Sequence, residues 1–310
     1  MTPRLVLTLG DPRGIGPEIV ARALEAPLGA EIVAVGAEDQ IAGLPVSERV
    51  SVGAWRSGSG EEAGRLRGKA HSRAVLAGTI AGHAVEAAVH MALAGEVDGI
   101  VTAPVHKYAL HLAGFPYPGH TEWLAHMAGD VDVAMMLAAE TLRVVLITTH
   151  VAARDVPALV TKERVVTTGR VTRKALKDWF GIANPRLALC ALNPHGGEDG
   201  LFGDEEARIL IPAAKQLRAA GPFPADTVFV RAMRGEFDAV LTPYHDVGMT
   251  AIKVAAFGRG VNVTLGLPFP RTSPDHGTAF DIAGKGVADW GSMRAALELG
   301  AELAKKSKAK

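Results

Sequence analysis

The chain has a single cysteine, Cys190, among its 310 residues. One cysteine excludes an intrachain disulfide, and it excludes a multi-thiolate zinc site or a cysteine-ligated iron–sulfur cluster built within one chain. Any metal ion must therefore be held by His, Asp or Glu side chains. A reducing, cytoplasmic setting fits this cysteine content best.

Aromatic residues and net charge are also scarce. Aromatic residues make up only 5% of the chain, and 33 basic residues balance 33 acidic ones. Few aromatics disfavour a base-stacking platform, and zero net charge disfavours general attraction to nucleic acid or anionic lipid. The longest apolar stretch, around residues 131–149, is interrupted by Asp132, Glu140 and Arg143 and is too broken to span a bilayer. We therefore expect no nucleic-acid partner and no membrane association.

Short apolar, β-branched runs alternate with amphipathic segments along the whole chain. Strands are predicted at 5–9, 31–35, 99–102, 131–137, 143–148, 186–192, 239–242 and 261–265. Helices are predicted at 17–25, 83–94, 121–128, 162–179, 205–219 and 292–305. The alternation predicts an α/β fold with a largely parallel sheet, in which ligands bind beyond the carboxyl ends of the strands. The Gly- and Ser-rich residues 56–65 predict a surface loop.

The first chemically distinctive segment, residues 10–18, follows the first predicted strand and reads Gly-Asp-Pro-Arg-Gly-Ile-Gly-Pro-Glu. Pro17 occupies a plausible first helical position with Glu18 in the first turn, and glycines before a helix can cradle an anion. The spacing is not that of the Rossmann glycine motif. Taken alone, the segment is better explained as a tight strand-to-helix turn.

Three histidines follow predicted strands: His150, His195 and His245. If those strands are adjacent and parallel, the imidazoles converge, and three imidazoles with an open position form a catalytic divalent-metal site. Asp246 is then a further ligand, an orienter of its neighbour or a base. The alternative is three unrelated polar loop residues. Surface or capping positions are expected for the histidines without a comparable setting, which are His71, His83, His90, His106, His111 and His126.

Two further groups suggest substrate contacts. His120 is predicted at the start of a helix, with Thr121 as a candidate cap, beside free backbone N–H groups, a position suited to ligand binding; a structural loop histidine is the alternative. Lys253, Asn262 and Arg271 lie in or beside an apolar stretch, and cations with an amide suit a substrate bearing several negative charges.

Together these segments resemble the 4-hydroxythreonine-4-phosphate dehydrogenase family of vitamin B6 biosynthesis. The shared motifs run in order along nearly the whole chain. They are Gly-Asp-Pro-x-Gly-Ile-Gly-Pro-Glu at 10–18, Gly-His-Thr-Glu at 119–122, Thr-Thr-His at 148–150, Asn-Pro-His at 193–195, Tyr-His-Asp at 244–246, and Gly-Arg-Gly-Val-Asn through Asp-His-Gly-Thr-Ala at 258–279.

The resemblance implies two α/β/α subdomains similar to isocitrate and isopropylmalate dehydrogenases, with the active site in the cleft between them. We expect residues 1–103 plus 240–310 to form the NAD side and residues 104–239 to form the metal side and the dimer interface. The family is a homodimer whose active sites are shared between subunits.

The resemblance also assigns residues. It implies one divalent ion, zinc, magnesium or cobalt, on His150, His195 and His245. It implies substrate contacts from His120, Thr121, Lys253, Asn262 and Arg271. The loop at 276–285 looks like the one that holds the adenosine end of NAD, or of NADP, in related enzymes; its candidate contacts are Gly277, Thr278, Asp281 and Gly284.

The implied reaction is NAD-dependent oxidation of 4-phosphohydroxy-L-threonine to 2-amino-3-oxo-4-(phosphooxy)butanoate. This product decarboxylates to 3-amino-2-oxopropyl phosphate in pyridoxal 5'-phosphate biosynthesis. Asp246 and Lys253 are the candidate catalytic residues. Arg13 and Val247 depart from the family pattern, so oxidation of a four-carbon sugar-acid 4-phosphate is the alternative. A metal-dependent hydrolase and a non-catalytic binding protein are the rivals from other classes.

Overall fold

A computed structural model describes residues 2–55, 66–140, 142–256 and 258–308. The predicted surface loop at 56–65 lies outside the described residues. The strands within these ranges are β1 Arg4–Thr8, β2 Glu31–Gly36, β3 Glu48–Ser51, β4 Gly99–Thr102, β5 Ala134–Ala139, β6 Leu142–Leu146, β7 Leu187–Cys190, β8 Ala220–Phe223, β9 Ala239–Thr242, β10 Val261–Leu265 and β11 Arg271–Pro274.

The helices lie between these strands, as the sequence predicts for an α/β fold. They are α1 Gly16–Ala23, α2 Glu38–Ile41, α3 Leu66–Leu93, α4 Lys107–Leu112, α5 His120–Met127, α6 Val156–Leu159, α7 Lys162–Asp178, α8 Ile211–Leu217, α9 Ala225–Met233, α10 His245–Ala256 and α11 Gly291–Lys308. A π-helical turn, Glu206–Leu210, precedes α8, and short 3₁₀ segments lie at Ala153–Asp155 and Pro194–Gly200.

The chain divides into two compact units. Unit 1 consists of Met1–Gly129 and Pro268–Ala309, and unit 2 is built from Asp130–Leu267. The boundaries between the units lie at 129/130 and 267/268, not at the predicted 103/104 and 239/240. The reason is packing: α4 packs against α3, and Phe115 meets His83 of α3 edge-on at 5.9 Å, which keeps this segment in unit 1. In the same way, β9 pairs with β6 and β7, and β10 pairs with β5, which keeps these two strands in unit 2.

Unit 1 contains five parallel strands in the order β3-β2-β1-β4-β11. The inner strands are buried on both faces, as parallel strands covered by helices are; β4 is buried throughout. α1 begins as predicted, with a proline at its first positions and Glu18 in its first turn. The chemically distinctive segment at 10–18 therefore lies at the carboxyl ends of β1 and β4.

Unit 2 contains six strands in the order β10-β5-β6-β9-β7-β8. β5 is antiparallel to both of its neighbours, and the other pairs are parallel. One core cluster joins the sheet to α9 and α10. Its fully or nearly fully buried members include Leu142, Val144 and Leu146 of β6, Ala188 and Cys190 of β7, Val240 of β9, Val228 and Ala232 of α9, and Ile252 of α10.

The fold class is as predicted, but several elements escaped the sequence analysis. β8 contains Gly221 and Pro222, residues that ordinarily interrupt strands. α10 carries Gly248 and several β-branched residues, which weaken its helix propensity. His245, predicted on a loop, is in fact the first residue of this helix.

One stretch of α3, His71–Leu93, is long and apolar enough to cross a membrane by length and composition alone. Of its most apolar window, 56% is buried inside the structure. A core helix satisfies the same criteria, and α3 packs against β1, β2 and β4 within unit 1. The helix is therefore weak grounds for a membrane span.

Candidate active site

In unit 2, the three strands that precede the candidate metal ligands are neighbours. β6 pairs in parallel with β9, and β9 pairs in parallel with β7. His150, His195 and His245 follow the carboxyl ends of β6, β7 and β9 respectively. The sequence-based expectation about strand placement is therefore met, because the three segments leave the same edge of the sheet.

Two of the three imidazoles are in contact. The ring centroids of His150 and His245 are 5.5 Å apart. His245 Nδ1 is 2.7 Å from Asp246 Oδ1, and the Asp246 side chain is 83% exposed. A carboxylate on Nδ1 fixes the ring and directs the other nitrogen, Nε2, towards a ligand role. Asp246 thus has the contact expected of an orienter.

His195 lies on a backbone of unusual conformation. Residues 195–199 all have positive φ, including His195 at 52°, within the segment Pro194–Gly200. Among the described residues, no three His, Cys, Asp or Glu side chains are grouped closely enough to hold a metal ion. The convergence of all three histidines stays a prediction.

In unit 1, Arg271 is a buried cation. It begins β11, is 2% exposed, and its Nη2 donates a hydrogen bond of 2.6 Å to Oγ1 of Thr102, the last residue of β4. Burial lowers the pKa of Arg271 to about 10, an effect that Glu122 opposes. The guanidinium therefore remains charged at neutral pH. It lies at the carboxyl end of a parallel strand, β4, where its positive charge suits an anionic ligand.

The charge of Arg271 affects the pKa of His120. Burial, and then the positive charges of Arg271 and Lys107, hold the pKa of His120 well below its usual value of 6.5. The ring is therefore neutral at neutral pH. Its Nε2 is buried and has no hydrogen-bond partner among the described residues. A neutral imidazole with one unsatisfied nitrogen, beside a buried guanidinium, suits a substrate bearing a hydrogen-bonding anionic group.

Thr121 does not cap the helix, contrary to the sequence-based suggestion. The cap position of α5 is Gly119, without a side-chain cap bond, and His120 is the first helical residue. Thr121 is buried in the first turn at 8% exposure. Its predicted substrate contact stays a prediction.

The other two predicted substrate residues lie in unit 2. Lys253 is exposed on α10. Asn262 is half-buried on β10, and its Oδ1 is buried without a hydrogen-bond partner among the described residues. An orphaned amide oxygen of this kind is what a donor group of a bound ligand would satisfy.

The predicted cofactor loop docks on the glycine-rich segment within unit 1. Ile15 N donates to Thr278 O at 2.9 Å, and Gly284 N donates to Glu18 Oε2 at 2.7 Å. At Gly14 a Cβ would lie only 2.8 Å from Thr278 O, so a side chain there would push the two segments apart. The two motifs therefore form one surface.

That surface carries orphaned polar atoms and an aromatic contact. Glu18 Oε1 and His276 Nε2 are buried without partners among the described residues. Arg13 forms a two-point ion pair with buried Asp11, and its guanidinium lies 5.0 Å from the centroid of the Phe280 ring. Asp281 and Gly277 are exposed. The region has unsatisfied hydrogen-bonding groups beside an aromatic ring, which fits a ligand with both polar and ring components.

His106 occupies the N-cap position of α4, as expected of a capping residue, although its side chain forms no cap bond. Its ring meets Phe280 edge-on at 5.0 Å, and its Nδ1 is 3.4 Å from Arg13 Nη2. Thr102 accepts the Arg271 hydrogen bond at the end of β4, a role that the sequence did not assign to it.

Comparison with known sequences supplies the family. A model of the family "Pyridoxal phosphate biosynthetic protein PdxA" matches residues 38–300. The chain belongs to this PdxA family. A 4-hydroxythreonine-4-phosphate dehydrogenase from Geobacter metallireducens is 44% identical over 98% of this chain and 96% of its own length. A D-threonate 4-phosphate dehydrogenase from Salmonella typhimurium is 40% identical over 98% of this chain and 99% of its own.

Structural comparison agrees. The crystal structure of 4-hydroxythreonine-4-phosphate dehydrogenase from Klebsiella pneumoniae superposes with a TM-score of 0.84 at 37% identity. It covers 97% of this chain and 99% of the Klebsiella chain. This PdxA-family chain is therefore a dehydrogenase with the α/β fold that the sequence predicted.

Proposed function

We propose that this chain oxidises 4-phosphohydroxy-L-threonine with NAD to 2-amino-3-oxo-4-(phosphooxy)butanoate. That β-keto acid decarboxylates to 3-amino-2-oxopropyl phosphate, a step in pyridoxal 5'-phosphate biosynthesis. The observation that carries the proposal is the 44% identity, over nearly the full length of both chains, to a relative named for this activity. The buried Arg271 beside a neutral His120 supports an anionic substrate.

The proposal assigns one divalent ion to His150, His195 and His245. Their placement after three adjacent parallel strands supports this, and so does the Asp246 contact to the His245 ring. A divalent ion, when bound, supplies a Lewis acid that lowers the pKa of a substrate hydroxyl. Neutral imidazoles are the required form of such ligands, and Asp246 holds the His245 ring in one orientation.

We assign the substrate contacts to His120, Thr121, Lys253, Asn262 and Arg271. Arg271 presents parallel donors to phosphate or carboxylate oxygens, and its charge persists because its pKa stays near 10. His120 Nε2 offers one hydrogen bond without adding charge. These groups position the substrate, which is a large part of catalysis. Lys253 and Asp246 are the candidate proton acceptors.

NAD, or NADP, is assigned to the surface formed by segment 10–18 and loop 276–285, with Gly277, Thr278, Asp281 and Gly284 in contact. The nicotinamide, when bound, accepts the hydride. The orphaned Glu18 Oε1 and His276 Nε2 support a polar ligand here. We further propose a homodimer with shared active sites in the cytoplasm, an expectation that comes from the family.

The test is NADH production, followed by absorbance. We expect turnover with 4-phosphohydroxy-L-threonine to exceed turnover with D-threonate 4-phosphate or D-erythronate 4-phosphate. Preference for either sugar-acid phosphate would replace the proposed substrate. Phosphate release without NADH would indicate a hydrolase, and ligand binding without any product would indicate a binding protein.

A further inference from the structure

Glu206 is a buried carboxylate outside every group considered so far. It is 4% exposed and is the first residue of the π-helical turn Glu206–Leu210 in unit 2. Burying a carboxylate is costly unless hydrogen bonds satisfy it. π-helical turns are rare and recur at functional sites. The contacts of Glu206 show what this arrangement holds.

Glu206 holds the segment immediately before His195. Its Oε1 accepts hydrogen bonds from the backbone N–H groups of Leu192 and Asn193, both at 2.8 Å. Its Oε2 accepts a third bond, also of 2.8 Å, from Asn193 Nδ2. Asn193 Nδ2 also donates to Glu205 Oε2 at 2.7 Å. The chain is therefore fixed at three points two to three residues before the candidate ligand.

The fixation matters because the segment that follows is strained. His195 adopts φ 52° and ψ 22°, and the backbone stays left-handed through Asp199. For residues other than glycine this conformation is unfavourable, because Cβ comes too close to the following carbonyl oxygen. A Cβ on Gly197 would lie 3.0 Å from Glu206 Oε2, so the loop also turns closely around the carboxylate. Without Glu206, the backbone N–H groups of Leu192 and Asn193 would lose their acceptor, and Asn193 would keep its side-chain bond to Glu205 Oε2.

We propose that Glu206 is a positioning residue that sets the orientation of His195 for the divalent ion. The inference rests on the proposed function, because it presumes that His195 binds metal. The contacts of Glu206 are with Leu192 and Asn193 and not with His195 itself. Glu206 acts through Asn193 and the backbone, as partners of metal ligands do.

The competing explanation is that Glu206 only stabilises the end of β7. Asp238 provides a matched control at the opposite end of the same strand. Its Oδ2 accepts from the backbone N–H of Arg186, just before β7, at 2.6 Å, and its Oδ1 accepts from Arg186 Nη2 at 3.0 Å. Both carboxylates thus anchor backbone N–H groups that flank one strand, but only Glu206 does so at the end of β7 that leads to His195.

The experiment compares Glu206→Gln and Glu206→Ala with Asp238→Asn and Asp238→Ala. Co²⁺ binding is measured by calorimetry at a temperature where every variant is folded by circular dichroism, and His195→Ala marks the loss of a ligand. Gln keeps an oxygen for the two backbone bonds but turns an NH₂ group towards the Asn193 NH₂, so it removes the side-chain bond to Asn193 and leaves an acceptor for the backbone.

We expect the Glu206 variants to weaken Co²⁺ binding by about 10- to 100-fold, with Ala the more severe, as is typical of residues that orient metal ligands. The Asp238 variants should lower the melting temperature without changing the Kd. Hydrogen exchange at the Leu192 and Asn193 amides should accelerate in Glu206→Ala.

Two results would overturn the inference alone: wild-type Kd values in both Glu206 variants while His195→Ala loses binding, or equal weakening by Asp238→Ala and Glu206→Ala. Absence of Co²⁺ binding by the wild type, or unchanged binding by His195→Ala, would overturn the metal assignment of the proposed function and this inference with it.

Discussion

Replacing Arg271 by Met tests the candidate anion site most directly. Met approximates the length of the side chain and removes its charge and all of its donors. The guanidinium is 2% exposed and is held to Thr102 by a hydrogen bond of 2.6 Å. It is therefore already oriented before any substrate arrives, and little ordering cost offsets its contact with a phosphate or carboxylate.

The expected loss follows from the strength of a charged hydrogen bond. Such bonds contribute about 1.5–3 kcal/mol, which corresponds to roughly a 10- to 150-fold loss of kcat/KM for one bond. Arg271→Lys keeps a charge but not the two parallel donors, so it should fall between the wild type and Met. On a substrate that lacks the phosphate, the penalty of Arg271→Met should shrink if Arg271 contacts that group.

A second readout does not depend on the identity of the substrate. Arg271 is one of the causes that depress the pKa of His120, after burial. In Arg271→Met the pKa of His120, measured by NMR, should rise but stay below 6.5, since burial remains. The matched control is Arg294→Met, because Arg294 donates to Ala23 O and Pro27 O elsewhere in unit 1.

The reasoning would be refuted by unchanged kcat/KM in Arg271→Met, or by an equal penalty with phosphorylated and unphosphorylated substrate. It would also be refuted if Arg294→Met lowered kcat/KM as much, because the loss would then reflect general destabilisation. An unchanged His120 pKa would show that the two side chains do not interact as the structure indicates.

Three further changes have defined outcomes. Replacing each candidate metal-ligand histidine by Ala should weaken divalent-metal binding and remove most turnover. The metal affinity of the wild type should fall below about pH 6.5, where free imidazole protonates. Calorimetry at two pH values measures the affinities, and NADH production measures the turnover. Gly14→Ala should raise the KM for NAD, because its Cβ would lie 2.8 Å from Thr278 O, whereas Gly29→Ala, with nothing within 4 Å of its Cβ, should leave the KM unchanged. The folded-state pKa of His120 is depressed, so on acidification the unfolded chain takes up this proton first, and the free energy of unfolding should fall as the pH drops from 6.5 towards the folded pKa. Denaturant unfolding of His120→Gln should show a weaker decline with pH. An identical decline would contradict the depressed pKa.

Much of the fold follows from local patterns. The buried runs at β1, β4, β6 and β9 are short, apolar and bounded by polar residues, so periodicity and burial agree. The elements that were missed are those in which tertiary contacts override local preference. β3 has exposed or half-buried residues throughout, and it forms because it pairs with β2. Its sequence therefore carries no hydrophobic signal.

The candidate site shows the same contrast between residues found from local sequence patterns and contacts that depend on the tertiary fold. The strand-end rule located His150, His195 and His245, because each is close in sequence to the strand that carries it. What it does not supply is the contact between Arg271 and Thr102, which are 169 residues apart in the chain and meet only because β11 pairs with β4.

Glu206 shows why positioning residues are harder to predict than ligands. A ligand must carry a particular chemistry, so imidazoles after three strands attract notice even without a structure. A residue that orients a ligand through backbone N–H groups needs only an acceptor at the right place, and acidic residues on helices are common. Its role becomes visible when burial, three hydrogen bonds and the left-handed loop at His195 are considered together. The contrast with Asp238 makes that role measurable, since two carboxylates that flank one strand separate stabilisation of the strand from orientation of the histidine beyond it.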